Sequence, residues 1–89
     1  MKVKSMMSSK GNPIPNQFII DTGKGVLYFQ SYESIIVKIV KDRVYLDEKT
    51  WDYSSTTGRY RNNFLGEGIA DTRSKIASGE YKLTNLNKK

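Results

Sequence analysis

The chain has 89 residues, 15 Lys and Arg against 9 Asp and Glu, and neither Cys nor His, which bounds it as one small domain with a net charge of +6. Disulfide staples are excluded, as are the usual ligands of zinc sites, and a histidine general base is absent. Stability must come from packing, with self-association into a homo-oligomer as a further source, because a domain of this size buries only roughly 60–65% of its unfolded surface.

The first sixteen residues, MKVKSMMSSKGNPIPN, are rich in Lys, Ser, Asn and Pro, and are expected to form a flexible basic arm. They lack the apolar stretch of a secretory signal, and the longest apolar runs, VLYF and IIV, fall far short of the ~20 residues of a membrane span. A cytoplasmic setting, with no membrane partner, is the expectation. Met6 and Met7 leave the natural start open, with the first residues an upstream extension as one reading.

From Gln17 the pattern becomes sheet-like. FIID at 18–21 and VLYFQS at 26–31 flank a Thr22-Gly23-Lys24-Gly25 turn, a hairpin signal. SIIVKIVK at 34–41 places Ile35, Val37 and Ile39 on one face and Ile36, Lys38 and Val40 on the other, so Lys38 marks the wetter side. VYLD at 44–47 alternates Val44 and Leu46 against Tyr45 and Asp47. An antiparallel meander is the economical arrangement.

The period then changes to that of a helix. Asp52 or Ser54 caps a segment that runs to Phe64 or Leu65 and stops at Gly66-Glu67-Gly68. Tyr53, Thr56, Thr57, Tyr60 and Phe64 fall on one stripe, with Ser55, Arg59 and Asn62 opposite. A second helix is predicted near Asp71–Ser78, with Ile76 inward and Gly79 at its carboxy-terminal cap. EYKLTNL from Glu80 then reads as a fifth strand, and residues 87–89 as a basic tail. The predicted fold is α+β, a twisted antiparallel meander of four to five strands with two short helices on one face, in a domain spanning 17–86.

NPIPNQFII, FQSY, VYLD, WDYSSTTGRYRNNFLG and IASGEYKLTNLN, taken in that order, resemble small uncharacterised proteins of phages and mobile elements of Gram-positive bacteria. The resemblance implies a genetic setting in which small proteins bind nucleic acid or block host machinery, and it brings no catalytic residue or cofactor.

Catalytic motifs are weak. Thr22-Gly23-Lys24-Gly25 lacks the spacing and following helix of a phosphate loop, and the carboxylates Asp47, Glu48 and Asp52 are better explained as a cap and a charged turn than as a metal site. Tyr60 between Arg59 and Arg61 suggests a tyrosine nucleophile but falls on the core stripe. The expectation is a binding protein with no enzymatic activity, cofactor or metal.

Two surfaces are candidates. Arg59, Arg61, Asn62 and Asn63 on the first helix, with Arg73 and Lys75 on the second, offer planar and charged donors for phosphates or base edges. Tyr28, Tyr32 and Tyr45 on the sheet offer a base-stacking platform. Charge qualifies both. Five of the six net positive charges lie in residues 1–12 and 85–89, leaving ten basic against nine acidic residues in 13–84. Two functions stay open at this point: an accessory or regulatory nucleic-acid-binding protein of a mobile element, and an inhibitor docking onto a host protein, such as a defence nuclease or its nucleoprotein complex.

Overall fold

The structure, a computed structural model, describes residues 1–87; Lys88 and Lys89, part of the expected basic tail, lie outside the described residues. Six strands and two helices follow in the order β1 (Lys2–Met7), β2 (Pro13–Asp21), β3 (Val26–Ser31), β4 (Ser34–Val40), β5 (Arg43–Asp47), α1 (Ser55–Leu65), α2 (Ile69–Ser78) and β6 (Tyr81–Thr84). The strands form one sheet in sequence order. From β1 to β5 each strand is antiparallel to the next, whereas β6 runs parallel to β5. The sheet is therefore mixed. Two helices separate β5 from β6, so the chain crosses over one face and re-enters in the same direction, which a tight meander turn cannot do.

The first sixteen residues do not form a flexible arm. A turn closed by Gly11 N–H to the Ser8 carbonyl (2.9 Å) and Ser8 N–H to the Asn12 carbonyl (2.8 Å) folds β1 back along β2. Gly11, at φ 80, supplies the left-handed residue this turn requires. Pro13 and Pro15 are tolerated because β2 begins to pair with β3 only at Gln17. The proline segment thus has β1 as its one neighbour and needs no second row of donors.

Strand register sorts the side chains into two faces. Ile19, Phe29, Val37 and Leu46 stand side by side on one of them, as do Leu27, Ile39, Val44 and Tyr81. Both helices cover this face. Tyr60, Phe64 and Leu65 of α1 and Ile76 of α2 pack on a core formed by Phe29, Ile36, Val37, Leu46 and Tyr81, and the Phe64 ring lies over Phe29 at 5.6 Å. Ile36 is fully buried where the register shifts between β3 and β4, departing from the strict alternation expected of this strand.

Helix α1 begins at Ser54, whose hydroxyl accepts from the Thr57 N–H at 3.1 Å, and ends at the left-handed Gly66. Its inner stripe is rotated from the expected one. Thr57, Gly58 and Arg61 are buried, while Tyr53 and Thr56 are exposed. Thr57 is drawn inward by its hydroxyl contact with Ser31 of β3 at 3.0 Å. Helix α2 starts at Ile69 and stops at Gly79, also left-handed.

The carboxy-terminal residues are part of the fold up to Asn87. Leu86 N–H donates to Asp47 Oδ1 (2.9 Å), and the Asn87 side-chain amide accepts from Ile35 N–H (2.7 Å) and donates to the Ile35 carbonyl (2.9 Å). Pairing of β4 with β5 begins only at Val37. Asn87 therefore supplies β4 with the hydrogen bonds a neighbouring strand would have made, and its assignment to a tail is corrected.

Candidate nucleic-acid interface

The helix-borne cations are largely used inside the molecule. Arg61, expected on the outer face, is 1% exposed. Its Nη1 donates to the Trp51 carbonyl and faces Asp52 Oδ1 at 3.4 Å, its Nη2 donates to Asn62 Oδ1 at 3.0 Å, and its guanidinium lies 5.4 Å from the Trp51 ring centroid. Gly58 lies against it, and a Cβ there would meet Nη2 at an ordinary contact distance of 3.6 Å. A planar cation that satisfies three acceptors and stacks on an indole is held as structure, which corrects its reading as a surface contact. Asn62 is half-buried and bonded to it.

Lys75 is engaged as well. Glu67 accepts from Lys75 Nζ (2.7 Å), Thr72 Oγ1 (2.6 Å) and Tyr81 Oη (2.8 Å), joining the start and middle of α2 to β6. Burial alone would push the Glu67 carboxyl up, but these three donors outweigh it and hold it below the usual carboxylate range. The hydrogen bond to Glu67 raises the Lys75 ammonium above its ordinary value, and burial raises the Tyr81 phenol. Arg73 is exposed but bonds Asp52 at 3.2 Å. Of the six helix residues expected to form a site, Arg59 and Asn63 remain exposed without a recorded partner among the described residues.

The sheet face away from the helices is built differently. One register row crosses all six strands: Val3, Ile20, Tyr28, Lys38, Tyr45 and Lys82. Tyr28 and Tyr45 are the immediate neighbours of Lys38, whose Nζ lies 6.0 Å from the Tyr28 ring centroid, the outer limit of a cation–π contact. All three are half-buried. Tyr32 does not join them. It sits four residues beyond Tyr28, exposed in the β3–β4 turn at φ 57, with its N–H donating to the Asn16 carbonyl.

Beside this row runs a groove of about 610 Å³, floored by Lys38, Val40 and Tyr45, with Lys41 and Arg43 at one end and residues 84–86 as a wall. No carboxylate lines it among the described residues. Asp47 belongs to the same face by alternation from Tyr45 but is 2% exposed. Burial would raise its pKa, yet the Leu86 and Lys49 N–H groups and the Thr50 hydroxyl together hold it below the usual range. That negative charge is enclosed by the segment that forms the groove wall.

Lys38, Lys41, Arg43 and Lys82 were not among the residues expected to form a site. Lys38 alone gave a sequence signal, as the one charge in an otherwise apolar strand; the others required the β4–β5 register and the parallel placement of β6.

A family model described as "Family of unknown function (DUF8033)" matches residues 1–81. The chain belongs to this family. The match begins with β1, so the amino-terminal hairpin lies within the family's common region. No curated protein and no solved structure matches the chain. None of the helices of the described residues is long and apolar enough to cross a membrane.

Proposed function

We propose that this protein acts by binding nucleic acid on the helix-free face of its sheet, without catalysing a reaction. The observation that carries the reading is the alternation of aromatic and cation along Tyr28, Lys38, Tyr45 and Lys82 on four adjacent strands, beside a groove that adds Lys41 and Arg43 and no carboxylate. Asp42 stands between Lys41 and Arg43 in the turn, but none of these cations is held in an ion pair among the described residues. Such cations attract a polyanion and release its counterions, and aromatic faces among them accept bases. The helix layer does bring Arg59, Asn62, Asn63 and Arg73 around a cleft of about 650 Å³, but a carboxylate, Asp52, lines it. Asp52 neutralises Arg73 there, and Arg61 and Lys75 are withdrawn into ion pairs. The same loss removes polar donors from the alternative, a host-protein inhibitor docking through a mixed aromatic and polar patch.

The test is fluorescence anisotropy with a labelled oligonucleotide over a range of salt. Replacing Lys38, Arg43 and Lys82 together by Gln is expected to lower affinity and to reduce the salt slope by about 0.7–0.9 for each phosphate contact removed. Unchanged affinity and slope in a folded triple variant would sink the proposal.

A further inference from the structure

We infer that the ligand class of the open face is single-stranded nucleic acid, with bases stacked on Tyr28 and Tyr45 and phosphates held by Lys38, Lys82 and Arg43. The inference rests on the nucleic-acid reading above and narrows it. Tyr28 and Tyr45 stand on either side of Lys38 in one register row, so their strands are separated by two strand spacings, roughly 10 Å. Each ring is half-buried, and its immediate neighbours in the row are Ile20 or a lysine stem. Such a ring offers a flat apolar surface backed by the sheet, and base stacking needs that surface.

A duplex cannot use it. Paired bases present edges to a protein and keep their faces stacked on one another, so duplex readers insert a helix or a ribbon into a groove. Here both helices lie on the opposite side of the sheet, so this face presents no helix to enter a groove. An unpaired strand can lay its bases on the tyrosines while its backbone follows the cations.

The groove is consistent with the same size class. At about 610 Å³ it falls among sites that take one small molecule, the scale of a nucleotide unit, and the wall formed by residues 84–86 confines it on the β6 side. That wall is held by Glu48 N–H on the Thr84 carbonyl, by Leu86 on Asp47 and by Asn87 on Ile35. The wall is therefore present before any ligand arrives, and the carboxylate that anchors it is sealed from the groove.

The experiment compares oligothymidylate, oligouridylate, a mixed-sequence duplex of equal length and heparin at one salt concentration, using the full chain. Binding of a single strand at least tenfold tighter than duplex is expected, and the two single strands distinguish DNA from RNA as the source. Tyr28→Leu and Tyr45→Leu should each weaken single-strand binding by roughly 5- to 100-fold, Tyr→Phe at either position should restore it, and duplex binding should move less than twofold. Emission from Trp51, on the helix side, reports whether each variant is folded. Should a Leu variant unfold, photocrosslinking of a bromouracil-substituted strand to the parent protein decides the matter. Crosslinks at Tyr28 or Tyr45 are expected, and crosslinks confined to the helix side overturn the inference. Equal affinity for single strand and duplex, insensitive to both tyrosines, overturns the stacking inference and leaves the nucleic-acid reading standing. Binding to heparin alone, or to none of the four, overturns both.

Discussion

The two faces of the sheet use the same cationic side chains in opposite ways. On the helix side the three ion pairs among the described residues, Arg61–Asp52, Arg73–Asp52 and Lys75–Glu67, tie the loop before α1, the two helices and the connection between them together, and Tyr81 of β6 joins through its hydrogen bond to Glu67. On the open side Lys38, Lys41, Arg43 and Lys82 surround two tyrosines and no exposed carboxylate lines their groove. A cation matched by an acid is part of the scaffold, while a cation left unmatched beside an aromatic is available to a ligand. Sequence composition cannot separate the two, because residues 13–84 are almost charge-balanced as a whole. The partition of acids between faces creates the contrast.

The contrast breaks most severely at Arg61. Arg61→Ala removes a fully buried guanidinium, exposes the Trp51 carbonyl and Asp52 to an unfilled space, and takes away the cation–π contact. Asp52 stays in contact with solvent, so the cost comes from losing a large buried side chain and its hydrogen bonds, about 2–5 kcal/mol, a large share of a small domain's stability. Urea unfolding followed by Trp51 emission is the measurement, and a midpoint equal to that of the parent would show that Arg61 is not structural.

The Glu67 and Asp47 clusters sharpen the comparison through pH. Both carboxyls lie below their ordinary values of 4.5 and 3.8 in the folded chain. Their contribution is therefore fully present above those values and lost as pH falls through the lower folded pKa. Lys75 behaves in the reverse sense. Its raised pKa makes a contribution that is complete below 10.5 and fades as pH rises further. Glu67→Gln is expected to lower stability at pH 7 and to flatten the acid limb below about pH 4.5, as read from melting temperatures against pH. An acid limb as steep as the parent's would mean that the Glu67 cluster does not couple to folding.

How far the sequence reached depended on whether local pattern or long-range partner decided the outcome. The strands from Phe18 to Asp47, both helices and the strand near Tyr81 were legible because turn residues and apolar period act within a few positions. Strand β1 was hidden because Lys2, Lys4 and two prolines read as an arm, and only the later start of β2–β3 pairing makes Pro13 and Pro15 acceptable. The parallel pairing of β6 and the role of Asn87 depend on partners about forty to fifty residues away. Tyr28 and Tyr45 lie on strands, as the alternation indicates, but their common row with Lys38 and Lys82 exists only in the register. Arg61 was misplaced for a chemical reason. A hydrophobic pattern treats arginine as outward, whereas a guanidinium with a carbonyl, a carboxylate and an indole to satisfy it can face the core.

The smallest expected effect is also the most discriminating. Arg59 is exposed, and Arg73 is exposed at its bond to Asp52, so the pair Arg59→Ala and Arg73→Ala removes two charges from the helix side without opening a core cavity. Exposed ion pairs are worth about 0–1 kcal/mol and other surface changes about 0.5 kcal/mol or less, so the melting temperature should shift by a few degrees at most. Oligonucleotide affinity should fall only slightly, because charges more than a Debye length of about 10 Å from the ligand are largely screened at 0.1 M salt. Two outcomes would redraw the surface. A loss of affinity as large as that of the Lys38, Arg43 and Lys82 variant would move the binding site to the helices and make the tyrosine row a cover for the sheet. A loss of stability comparable to that of Arg61→Ala would mean that Asp52 needs both arginines, and that the helix side is held by one three-membered charge network in place of separable pairs.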